Sequence, residues 1–66
     1  MKTLSINRVG TVYTVKEDTL LCQGIAPDGS FSDNPDEWAI VTEPVDQEAL
    51  NEVNEAFGTH FNMEDF

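Results

Sequence analysis

Cysteine, histidine and positive charge are all scarce in this chain, and each scarcity closes off a class of function. The single Cys22 cannot form an internal disulfide, and the single His60 has neither a C-x-x-C nor a second histidine to complete a zinc site. No base stands ready beside Cys22 or a serine, so the set needed for nucleophilic catalysis is missing and the chain is expected not to be an enzyme. No cofactor motif is present. No apolar run approaches the roughly 18 residues that span a bilayer. The opening MKTLSINRVG has one lysine and few apolar residues before Asn7 and Arg8, which does not read as a secretory signal; the chain is expected to be cytoplasmic, with no membrane role.

Positive charge is confined as well as rare. Lys2, Arg8 and Lys16 are the only basic residues; from Glu17 onward come 13 carboxylates and no Lys or Arg, for a net charge of −10. Such a field repels nucleic acid and anionic membranes and speeds encounter with basic surfaces. At 66 residues the chain is expected to form a single domain, 1–66. A domain this small buries only about 60% of the surface of its unfolded chain and leans on a disulfide, a metal or a partner. The first two lack the residues they need here, which points to association with another chain.

What is present is patterned, with 39% hydrophobic residues. Residues 3–16 alternate as strands, with Leu4 and Ile6, then Val12, Tyr13 and Val15 among β-favouring threonines, and a bend at Arg8, Val9 and Gly10. A turn at Lys16, Glu17 and Asp18 leads to a third strand over 19–26, in which Gly24 suggests a bulge or a close backbone approach. Pro27, Asp28 and Gly29 carry strong turn chemistry. Residues 31–37 read as polar loop, with Phe31 pinned inward, and 38–42 as a fourth strand. Asp46 suits a helix N-cap, with Glu48 in the first turn and Val45 placed to staple onto Leu50. Ala49, Leu50, Val53, Ala56 and Phe57 form one apolar helix face and Gly58 a C-terminal stop, predicting a helix over 46–57. His60 follows where positive charge suits the helix end, and the tail carries enough apolar residues to pack. The expected fold is α+β: an antiparallel β-meander of about four strands with one C-terminal amphipathic helix on one face. Apolar residues of both parities in the strands predict a second apolar sheet face that needs a cover, and thus a homo-oligomer or an obligate partner.

Glu48, Glu52 and Glu55 stand at i, i+4 and i+7 of the helix, with Asn51 and Asn54 completing the polar side. Like charges at this spacing oppose the helix, and no Lys or Arg interleaves them. The row, with Asp46 and Asn51 at its margin, is the candidate partner-binding site; the plainer reading is a solvated face that keeps the chain soluble. The loop 28–37 is rich in oxygen ligands, yet counting from Asp28 puts Asp33 sixth and Ala39 twelfth, where a calcium-binding EF-hand loop needs Gly and Glu. A polar hairpin loop is the better reading. His60 and Glu64 would share a face only if the tail were helical, and no third ligand accompanies them. No metal site is assigned. Trp38, Tyr13 and the phenylalanines suit a core better than a base-stacking surface, since the net charge opposes direct nucleic-acid binding.

In its size, its acidity and its lack of a catalytic set, the chain resembles accessory proteins encoded by bacteriophages, including inhibitors of nucleic-acid enzymes that carry a DNA-like charge pattern. The resemblance implies a regulator of a basic, nucleic-acid-binding protein, acting in the host cytoplasm. The alternative is a structural or assembly protein that works through homo-oligomerisation of its sheet.

Overall fold

Short, turn-rich segments with β-branched residues between them give a four-stranded sheet. The computed structural model describes residues 2–66. β1 (Leu4–Ile6), β2 (Thr11–Lys16), β3 (Thr19–Gly24) and β4 (Ala39–Ile40) pair in that order, all antiparallel, and α1 (Gln47–Phe57) follows. The fold is α+β, an antiparallel meander with one helix toward the C-terminal end.

Each connection has a local cause. Gly10 sits at φ 66° and ends the β1–β2 bend. The β2–β3 hairpin turns on Glu17 and Asp18 at φ 52° and 63°, a left-handed pair that matches the right-handed twist of the flanking strands but is ordinarily filled by Asn and Gly. Gly24 pairs in regular register with Thr11 and has no atom close to where a Cβ would sit, so neither a bulge nor a close backbone approach is found there and Gly24 ends the strand. β4 is shorter than its apolar run; beyond Ile40 the Val41 N–H donates to Leu20 O at 3.0 Å.

The register sorts the side chains. Tyr13, Val15, Leu20 and Cys22 share one face, which packs with Ile6 and Val41 against Ala49, Leu50 and Val53 of α1. Val12, Thr14, Leu21 and Gln23 point to the other face. That face is not bare: Val12 is 0% exposed and Trp38 7%, although neither belongs to the helix-side core. The cover comes from the 25–38 segment. Gln23 holds it by donating from Nε2 to Ser32 O (2.5 Å) and accepting at Oε1 from the Ser32 N–H (3.2 Å). Phe31 then packs edge-to-face on Trp38 with ring centroids 6.2 Å apart. A loop whose composition reads as merely polar thus lies over part of this face. It carries one defect, since the buried Trp38 Nε1 has no hydrogen-bond partner among the described residues.

Candidate functional site

The acidic row is positioned by how α1 starts. Asp46 accepts at Oδ1 from the Ala49 N–H (2.8 Å), the side-chain cap that lets the helix begin there, and Gly58 at φ 68° ends it. Val45 is 57% exposed and closes no staple on Leu50. With the apolar face of α1 turned to the sheet, Glu48, Glu52 and Glu55 fall within about 60° of one another on the outer side. All three are exposed, as is Asn51, whose Oδ1 accepts from Gln47 Nε2 at 3.0 Å.

The five candidate residues do not form one uniform patch, because Arg8 divides them. From the β1–β2 bend, Arg8 Nη1 donates to Asp46 Oδ2 at 2.9 Å, and Nη2 lies 3.6 Å from Glu52 Oε2. This hydrogen bond, ahead of the one from the Ala49 N–H, holds the Asp46 carboxyl below the usual carboxylate range and raises the Arg8 guanidinium in turn. The pair is exposed on both sides and screened by water, so its effect is chiefly one of placement. At the other end of the helix, Lys2 Nζ bonds to Ala56 O and lies 5.5 Å from the centroid of the Phe57 ring, the position where a cation complements the helix dipole. That role falls to Lys2 rather than to His60, which is exposed in the tail.

Two of the three cations are therefore spent on the ends of α1. Glu48 and Glu55 have no cation within ion-pair distance among the described residues. The face is a row in which Asp46 and Glu52 are partly neutralised and Glu48 and Glu55 are open.

Asn54 does not join this face. It is half-buried and ties down the tail, with its Oδ1 accepting from the Phe61 N–H and from Thr59 Oγ1 and its Nδ2 donating to Phe61 O, each at 2.9 Å. The tail has no helix over 59–62 and then forms a short 3-10 turn at Met63–Asp65, so His60 and Glu64 do not take α-helical i, i+4 geometry.

The remaining sequence candidates take structural positions. In the 28–37 loop, Asp28 Oδ1 accepts from the Ser30 N–H (3.0 Å) and Ser30 Oγ (2.6 Å), which lowers its pKa, and Asn34 Oδ1 caps the short Pro35–Glu37 turn. Among the described residues no three His, Cys, Asp or Glu side chains gather in a metal-binding group. Cys22 is half-buried against the core, and burial pushes its thiol pKa up, away from the thiolate form that reactivity requires. Among the described residues no helix is long and apolar enough to cross a membrane.

Sequence reasoning missed the roles of Arg8 and Lys2 and set Asn54 on the polar side of the acidic face, where it does not sit. The first two were visible only as the sole cations near β1, and their targets depend on β1 lying along α1. Asn54 carried no signal for this role beyond its place four residues before a helix-ending Gly-Thr. No protein-family model, curated protein or solved structure matches the chain.

Proposed function

We propose that the chain is a non-catalytic binding protein that presents the outer face of α1 to a basic surface on a protein partner. Glu48 and Glu55 make the leading contacts, and Glu52, Asp46 and Asn51 flank them. The observation that carries this reading is the disposition of the cations: Lys2 and Arg8 are drawn to the helix ends, while Glu48 and Glu55 stay exposed with no cation at ion-pair distance among the described residues, Glu48 feeling Arg8 only at longer range. A row of like charge held on a rigid helix opposes its own stability, and a cationic partner removes that opposition. Nucleic-acid-binding proteins present such surfaces, and a phage-type accessory protein acting in the cytoplasm fits the reading.

The test is capture from a nuclease-treated bacterial lysate on the immobilised chain at low salt, followed by a salt step. Proteins retained by the native chain, released by salt and not retained by an E48K/E52K/E55K variant support it. Identical retention on both chains refutes it. The alternative, an assembly role through the sheet, draws on the open β4 edge, where Ile40 is 64% exposed. A clean monomer in sedimentation at micromolar concentration removes that alternative.

A further inference from the structure

Away from the outer face of α1, the β4 edge and the tail enclose an open groove of about 410 Å³. Leu20, Val41, Phe61 and Phe66 line it with apolar surface, and Asp18 and Asp65 add a carboxylate each. Two of the chain's exposed large hydrophobic residues, Ile40 and Phe66, converge here. The backbone is open as well. Val41 N–H bonds to Leu20 O, and alternation along an antiparallel ladder turns the N–H and C=O of Ile40 away from β3. An unpaired donor and acceptor beside an apolar groove are the elements by which an extended peptide adds to a sheet edge.

Charge selects the occupant. A second copy would bring another net charge of −10 and its own Asp18 and Asp65 to the contact. Anionic lipid and nucleic acid are repelled in the same way. We propose that this groove binds an extended segment of a partner protein in which an apolar or aromatic side chain is flanked by Lys or Arg. The apolar side chain enters between Leu20, Val41, Phe61 and Phe66, the segment backbone pairs with Ile40, and the flanking cations meet Asp18 and Asp65. β4 has only two residues, so the backbone contributes little and the side chains set the specificity. This surface does not depend on the α1 face.

The experiment is an ¹H–¹⁵N titration of the full chain with the peptide acetyl-Lys-Val-Phe-Val-Lys-amide, and in parallel with its Glu-flanked counterpart. The expected result is saturable shifts at Asp18, Ile40, Val41 and Phe66 with the lysine peptide and none with the glutamate peptide. Asp18→Gly removes one carboxylate and also relaxes a left-handed turn residue, so it should raise resistance to urea while weakening the lysine peptide about fivefold. A loss of binding in that variant cannot then be assigned to unfolding. E48K/E52K/E55K, though weaker through its lower net charge, should still give saturable shifts at the same four residues, which separates this surface from the helix face. Shifts confined to α1, equal response to both peptides, unchanged binding by Asp18→Gly, or concentration-dependent broadening at Ile40 without peptide would each overturn the proposal.

Discussion

Replacing Gln23 by Ala should release the loop that covers the second sheet face, and the size of the effect follows from the geometry. The side chain makes two hydrogen bonds to the backbone of Ser32, at 2.5 and 3.2 Å, from a half-buried position. At about 0.5–1.5 kcal/mol each, their loss removes about 1–3 kcal/mol. A chain of this length has about 3–10 kcal/mol in all. With a urea dependence of about 1 kcal/mol per molar, the unfolding midpoint should fall by about 1–3 M. The single tryptophan, Trp38, is buried at the end of this loop and reports the transition by fluorescence, with far-UV circular dichroism as the parallel probe. Ser32→Ala is the control. It keeps both clamp bonds, which use the Ser32 backbone, and loses only the bond from the Asn34 N–H to Ser32 Oγ. A Gln23→Ala midpoint within about 0.3 M of the native value, or an equal loss in Ser32→Ala, would refute the idea that this clamp holds the cover.

Three further outcomes are expected. Glu17→Asn combined with Asp18→Gly places the preferred pair in the left-handed hairpin turn and should stabilise the chain by about 1 kcal/mol, read as a higher urea midpoint; a lower midpoint counts against the turn geometry. Asp46 has its carboxyl pKa lowered in the folded chain by Arg8 and the Ala49 N–H. Its contribution is therefore complete above the ordinary carboxylate pKa of 3.8 and fades as pH falls through the lower folded value. Asp46→Asn, which keeps a capping side chain, should flatten that acid limb and melt between the native chain and Asp46→Ala; the reverse order would contradict the cap. Cys22 should react slowly with a thiol reagent at pH 8 in the native chain and at the rate of a free thiol in urea, whereas equal rates would place it outside the core.

The fold was legible where local chemistry decides it. The parity of Leu4, Ile6, Tyr13 and Val15, the turn at Pro27, Asp28 and Gly29, and the cap–stop pair of Asp46 and Gly58 each act within a few residues, and the meander and helix followed from them. What escaped depends on distance in sequence. Arg8 reaches Asp46 only because the sheet lays the β1–β2 bend beside the start of α1. Glutamine at position 23 reads as an outward polar residue until its partner, the Ser32 backbone, is in place. Its two bonds turn a polar loop into a cover and give the second apolar face an intramolecular neighbour. The candidate site shows the same division. Its spacing was plain along one helix, but which carboxylates lie at ion-pair distance from a cation, Asp46 and Glu52 rather than Glu48 and Glu55, was set by a residue 38 positions away from Asp46.

The central claim is that the placement of carboxylates on α1, rather than total charge, makes the binding surface. It is tested most directly by comparing E48K/E52K/E55K with D33K/D36K/E43K, a charge-matched control on exposed loop positions. The affinity of each for the captured partner is measured by calorimetry at about 0.1 M and about 1 M NaCl, where the screening length falls from about 10 to about 3 Å. The helix variant should bind at least about tenfold more weakly than the native chain at low salt and lose most of its salt dependence, while the loop variant stays within about threefold. Equal weakening by the two variants, or a native affinity unchanged by salt, would contradict the account.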